Sequence, residues 1–295
     1  MMHLHATPRV AFAPNMGHSH PLSHHDTIEM HTMEPIEVPP QLISRLRDAN
    51  VVTVITGAGM SAESGVPTFR DVSTGFWARF DAYQLASPEG WKADKARVWA
   101  WYEWRRGLVR NAIPHAGHLA IAELPQALNR AVGREIKFTL VTQNVDDLHE
   151  RSGFEGALHV HGSLFAPRCA VCGRAATFPN DPPQEAVEHI TPPKCEHCGG
   201  FVRPGVVWFG EQLDVALLSK ASRSAQGSDV LLVIGTSGVV RPISDLPLLA
   251  RKSGAWVCEI NPLSTEVSSA AHLCWRATAA QALPALLSCL GSKGV

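Results

Sequence analysis

Four stretches of the chain are dominated by apolar and β-branched residues, and each runs into polar or glycine positions. Val51-Val52-Thr53-Val54-Ile55-Thr56 leads into Gly57-Ala58-Gly59, and Phe138-Thr139-Leu140-Val141-Thr142 leads into Gln143-Asn144. Val230–Ile234 and Trp256–Ile260 repeat the pattern. Runs of this length without alternation predict strands buried on both faces, the setting of a parallel sheet. A further short strand is expected from Ala157, with His159 and His161 on one face of it. Helical composition lies between the strands, for example at 213–225 and 243–252. Strands alternating with helices predict an α/β fold with helices on both faces of the sheet.

Two segments break this rhythm. Residues 71–112 are rich in tryptophan and helix formers, and residues 165–204 carry four paired cysteines among proline and glycine. Both are expected to be insertions that build a smaller lobe, a helical module and a cysteine-rich module. The cleft between that lobe and the sheet is the expected ligand site. Residues 1–35 hold seven of the fifteen histidines and no periodic apolar pattern, which predicts a disordered tail. A metal-gripping arm using His18, His20, His24 and His25 is the sharper alternative.

Composition narrows the partners. The 295 residues carry a formal net charge of −1, so nothing global draws the chain to nucleic acid or an anionic membrane. No apolar run reaches the roughly 20 residues that span a bilayer. The N-terminus lacks the charged, apolar, small-residue order of a secretory signal. Seven cysteines, four of them in C-x-x-C pairs, then favour metal ligation over disulfides, and the expected location is cytoplasmic.

The paired cysteines are the most specific local signal. Cys169-x-x-Cys172 and Cys195-x-x-Cys198, with 22 residues between the pairs, match a closed tetrahedral thiolate site for structural zinc. The alternative is a redox pair or four free thiols. Gly57-Ala58-Gly59, directly after the first strand, suits backbone amides approaching a pyrophosphate, although a tight strand–helix turn also wants glycine. Phe69 and Arg70 follow closely, an aromatic and a cation for a ligand with a ring and phosphates. Three strand ends are polar as well: Gln143-Asn144-Val145-Asp146, Gly235-Thr236-Ser237 and Asn261. Such clustering is where an open α/β sheet holds its ligand. His161 is a candidate general base, with a buried structural role equally open.

Taken together, Gly57-Ala58-Gly59-Met60-Ser61, Ser64-Gly65-Val66-Pro67-Thr68-Phe69-Arg70, Thr142-Gln143-Asn144-Val145-Asp146, His159-Val160-His161-Gly162, the cysteine pairs and Gly235-Thr236-Ser237 resemble the sirtuin signature, in the family's order. The resemblance covers about 45–285 within an expected catalytic domain of 36–290. It implies a Rossmann-like sheet domain with a smaller zinc-binding and helical lobe. It also implies an NAD-dependent protein lysine deacylase that releases nicotinamide and O-acyl-ADP-ribose. NAD would lie against Gly57, Ala58, Gly59, Phe69 and Arg70, with Gln143, Asn144 and Asp146 at the nicotinamide ribose and Gly235, Thr236, Ser237 and Asn261 at the phosphate and adenosine end. His161 and Asn144 would be the catalytic residues. The acylated-lysine protein or peptide would lie beside Val207, Trp208 and Phe209.

Tyr102 and Arg105 are three apart on an expected helix, so both side chains point one way. A phenol and a guanidinium converging suit a carboxylate. The pair resembles that of the desuccinylase and demalonylase branch, and a small Ala62 is expected to leave the acyl pocket wide. The alternatives are a plain deacetylase, mono-ADP-ribosyl transfer, or a non-catalytic NAD or ADP-ribose sensor.

Overall fold

The computed structural model describes residues 36–67, 76–178 and 180–291. The expected tail 1–35, the start of the 71–112 segment, and Phe69 and Arg70 lie outside the described residues.

Among the described residues there are eight strands: β1 (Val51–Thr56), β2 (Lys137–Thr142), β3 (Leu158–His159), β4 (Gly162–Cys169), β5 (Val202–Val206), β6 (Val230–Ile234), β7 (Trp256–Ile260) and β8 (Leu273–Trp275). Six form one parallel sheet in the order β3-β2-β1-β6-β7-β8. β4 and β5 pair antiparallel by themselves. The helices are α1 (Pro40–Asp48), α2 (Gly59–Ala62), α3 (Ala82–Leu85), α4 (Pro88–Ala93), α5 (Lys95–Asn111), α6 (Ala116–Val132), α7 (Leu148–Arg151), α8 (Val215–Gln226), α9 (Leu246–Lys252) and α10 (Ala279–Gly291). Local chemistry sets several ends. Ser87 caps α4 by accepting from Gly90 N–H at 3.0 Å, and Asp94 caps α5 through Arg97 N–H at 2.9 Å. α6 stops at Gly133, whose φ of 70° lies in the left-handed region that glycine enters without strain.

Alternation along β1 explains the two helical layers. Val52 and Val54 join Leu42, Leu46, Ile121, Leu128 and Leu286 on the face covered by α1, α6 and α10. Ile55 faces the other way, with Ala221, Ala225, Leu246 and Ala250 of α8 and α9. A third core holds Trp77, Trp91, Trp99 and Trp101 together with Leu164, Val202, Val206 and Trp208. The helical insertion and the β4–β5 module therefore share one core, separate from the sheet's. Among the described residues no helix is long and apolar enough to cross a membrane.

β1 connects toward β2 on one side, and β6 toward β7 on the other. Strand order reverses between β1 and β6, which opens a crevice at their carboxyl ends.

Candidate functional site

A cavity of about 720 Å³ occupies that crevice. Residues 57–59, Gln143, Asn144, Asp146, His161, residues 235–237 and Asn261 line it from the sheet. Tyr102 and Arg105 enter from α5, and Val207, Trp208, Phe209 and Glu211 enter from the segment after β5. Motifs scattered over more than 200 residues thus meet in one space.

The glycine loop sits differently from its expectation. Gly57 N–H donates to the Ile234 carbonyl at 3.0 Å, and Gly59 N–H to the Gly235 carbonyl at 2.7 Å. A Cβ on Gly57 would lie 2.7 Å from Thr236 Cβ, and one on Gly59 2.8 Å from the Gly235 oxygen. These glycines let the β1 and β6 loops touch, and their amides are spent on that contact rather than aimed at a phosphate. Across the crevice Gln143 Nε2 donates to Thr236 Oγ1 at 3.1 Å, and Asn261 Nδ2 to the Thr236 carbonyl at 3.2 Å. The ends of β2, β6 and β7 are therefore tied into one rim.

A buried polar floor supports Asn144. Its amide N–H donates to Thr142 Oγ1 at 3.1 Å, and its Nδ2 donates to Ser61 Oγ at 3.0 Å. Thr56 Oγ1 donates to Thr142 Oγ1 at 2.8 Å and lies 3.1 Å from His149 Nε2. The His118 ring packs against that of His149, with centroids 5.3 Å apart. These threonines and histidines were absent from the expected site. The signal for the threonines was a hydroxyl residue closing each of two mostly apolar and β-branched strands. Burial pulls His118 down to about 2 and His149 to about 4. In the unfolded chain each titrates near 6.5, so at lower pH the unfolded state binds protons that the folded state refuses. Stability is present above about pH 6.5 and is lost as pH falls toward about 4, by a few kcal/mol. Thermal denaturation from about pH 7.5 to about 4.5 should show Tm nearly level above about pH 6.5 and falling below it, less steeply for His118→Asn; a flat profile below about pH 6.5 would contradict this.

His159 and His161 do not share a face, because β3 ends at His159 and a turn follows. His159 Nδ1 lies 3.0 Å from the Asn144 carbonyl and its Nε2 2.8 Å from Glu150 Oε1. Both partners accept, so both ring nitrogens carry protons. Burial opposes the charge, yet Glu150 and the Asn144 carbonyl raise the His159 pKa overall. It is a charged structural tie. His161 has one such bond, from Nδ1 to the Gln143 carbonyl at 3.1 Å. That places its proton on Nδ1 and leaves Nε2 as the basic nitrogen. Burial lowers its pKa, which keeps the ring neutral near pH 7.

Tyr102 and Arg105 are buried one turn apart, 5% and 7% exposed. Burial raises the Tyr102 pKa, so the phenol stays a hydroxyl donor. Burial also lowers that of Arg105, against the charges of Tyr102 and Asp146. Ala62 is not part of this pocket: it sits exposed at the end of α2, outside the cavity lining. Ser61, one residue earlier on that turn, is the residue facing inward.

The four cysteines converge away from the cavity, with all four Sγ atoms within 4.8 Å of one another. Cys169 and Cys198 are 3.4 Å apart, and Cys172 and Cys195 3.8 Å. A zinc tetrahedron with bonds of about 2.3 Å needs sulfurs about 3.8 Å apart, so the donor set fits the ion. The Cys172 and Val171 amides pull the Cys169 thiol down to about 6. Cys198 accepts from the Gly200 amide, yet the neighbouring thiols push it up to about 11. Four thiolates at this spacing need a cation to coexist. The cluster is a structural zinc site.

The profile described as the Sir2 family matches residues 57–242. An NAD-dependent protein deacylase of Methylococcus capsulatus is 46% identical over 257 residues, 86% of this chain and 98% of that protein. A solved Sir2 homologue in complex with NAD superposes with a TM-score of 0.77 at 38% identity, covering 88% of this chain and 96% of that one. Another, a mutant bound to 2′-O-acetyl-ADP-ribose, gives 0.76 at 38% identity over 86% and 96%. With a parallel sheet split at β1 and β6, a four-cysteine module and one cavity that gathers the signature residues, the chain belongs to the Sir2 family.

Proposed function

We propose that the protein is an NAD-dependent protein lysine deacylase that prefers succinyl- and malonyl-lysine. Its deacylase character rests on the family, on relatives of that name, and on solved homologues holding NAD and an acetylated ADP-ribose. The acyl preference rests on a single observation: Tyr102 and Arg105 are buried in the same cavity as Asn144 and His161. A guanidinium fork and a phenol donor that line one cavity side by side present the donors that a carboxylate fits.

The chain's own groups divide the work. Residues 57–59 and 235–237, Gln143, Asn144, Asp146 and Asn261 would hold the dinucleotide, against a rim fixed by the Gln143–Thr236 and Asn261–Thr236 hydrogen bonds. Bound NAD supplies a nicotinamide leaving group and a ribose hydroxyl that takes the acyl group. His161 Nε2 would accept the proton of that hydroxyl. Val207, Trp208 and Phe209 would carry the acylated lysine, and Tyr102 with Arg105 would grip the far carboxylate of its acyl chain.

The test compares acetyl- and succinyl-lysine forms of one peptide with NAD, following nicotinamide release and peptide mass. Succinyl-lysine is expected to be preferred. Arg105→Met should lower kcat/KM on it by about 10- to 100-fold, the worth of a charge-assisted hydrogen bond, and leave acetyl-lysine turnover within about twofold. Equal or better turnover of acetyl-lysine by the unaltered protein would make it a plain deacetylase. No turnover of either peptide would remove the deacylase reading.

A further inference from the structure

Trp208 lines the cavity beside Tyr102, with ring centroids 6.5 Å apart, and is only 2% exposed. Its indole N–H makes no hydrogen bond, and burial keeps water from supplying one. A buried donor left over in this way calls for an explanation, because tryptophan N–H groups in protein interiors are normally paired. The ring is not loosely placed. Arg203 Cζ lies 3.3 Å from its centroid, and Trp91 packs at 5.6 Å. Arg203 is itself held, since its Nη2 donates to Glu211 Oε2 at 2.9 Å and to the Val206 carbonyl at 3.1 Å. Glu211 Oε2 also accepts the Trp208 backbone N–H at 2.9 Å. Backbone and ring are thus fixed together. A cation over the indole face also withdraws electron density from the ring and makes the N–H a better donor.

The Tyr102 hydroxyl is near enough to this side chain that Trp208 favours its ionised form. Tyr102 has one hydroxyl proton and lone pairs to fill. If the indole N–H fills a lone pair, the hydroxyl proton is free to point at a ligand.

We propose that Trp208 is a positioning residue for acyl selectivity: on ligand binding its indole N–H closes onto the Tyr102 hydroxyl oxygen and turns the hydroxyl proton toward the distal carboxylate of the acyl group. Arg203 and Glu211 are the clamp that holds the indole in place for this. The proposal rests on the reading of Tyr102 and Arg105 as a carboxylate site. It gives Trp208, already placed along the acylated lysine, a second task at the far end of the acyl group.

The experiment is a double-mutant cycle on Trp208→Phe and Tyr102→Phe, with succinyl- and acetyl-lysine peptides, NAD and the full chain. Trp208→Phe is expected to raise KM for succinyl-lysine about five- to tenfold more than KM for acetyl-lysine, the shared part of the loss coming from the lysine that both peptides carry past this ring. In the Tyr102→Phe background the same change should leave the succinyl-to-acetyl ratio as it is, because the group through which it sets that ratio is gone. Replacing Trp208 by 3-benzothienylalanine keeps ring shape and volume but exchanges N–H for sulfur. It should reproduce the Trp208→Phe loss even if the phenylalanine variant folds poorly. Equal losses on both peptides, full additivity with Tyr102→Phe, or an unaffected sulfur isostere would each overturn the proposal and reduce Trp208 to a packed wall. In those cases an intact Arg105→Met effect would leave the carboxylate reading standing. An unaltered protein that shows no succinyl preference would overturn both.

Discussion

Replacing His161 with alanine is expected to lower deacylation by about 10²- to 10⁴-fold, the usual worth of a positioned general base. The structure gives the direction of proton traffic. Nδ1 is committed as a donor to the Gln143 carbonyl at 3.1 Å, so Nε2 is the nitrogen that can take a proton. Burial holds the ring's pKa below its usual 6.5. A base works in its neutral form, so kcat/KM should be flat near neutrality and fall with acid only below about pH 6.5. Glutamine at the same position cannot titrate, and what activity it leaves should lose that acid limb. His159→Gln is the control. His159 lies outside the cavity lining and holds two acceptors, so its loss should act mainly on stability. Steady-state rates with NAD and an acyl-lysine peptide, taken across pH, check all three variants. Comparable losses for His159→Gln and His161→Ala would show that the tautomer argument has chosen the wrong histidine.

Removing the zinc site should have an effect of similar size by a different route. Cys195→Ser, or a strong chelator, is expected to abolish metal content and reduce activity by more than about tenfold, because a structural zinc site supplies folding energy outright. The damage should stay local at first. The tryptophan-rich core joins the helical insertion to β4 and β5, whereas the sheet keeps its own two cores. Six of the eight tryptophans lie in or against the small-lobe core, namely Trp77, Trp91, Trp99, Trp101, Trp104 and Trp208. Tryptophan fluorescence and near-UV circular dichroism should therefore change early, while far-UV signal from the sheet and its helices persists. Zinc content near one ion per chain in the unaltered protein, and none in the variant, is the direct check. Full activity without metal would contradict the assignment. So would a single cooperative loss of all signals.

Much of this molecule was legible in the chain itself, because some constraints are local. β1, β6 and β7 have the expected bounds, and β2 starts one residue earlier than expected. A strand buried on both faces reads as a short run of mostly apolar and β-branched residues, and the glycine or polar turn after it marks its end. The cysteine spacing predicted a cluster that forms, since two C-x-x-C turns each present two sulfurs by local geometry. A short strand was expected from Ala157 and forms as β3, but it stops at His159, while β8, three residues long, is too short for any periodicity to register.

Other features exist only once distant segments meet. His159 and His161 look equivalent in sequence, and the point where β3 stops separates them into a charged tie and a neutral base. Ala62 sits beside Ser61 in the same short motif, yet the turn of α2 sends one outward and the other into the cavity. Gly57 and Gly59 read as phosphate contacts, but Gly235 and Thr236 are the atoms that crowd them, from nearly 180 residues away. The clamp of Arg203 and Glu211 on Trp208 leaves no mark in the local pattern either. Periodicity records which positions are buried. Which buried group faces the ligand depends on what packs across from it, and tertiary structure alone decides that.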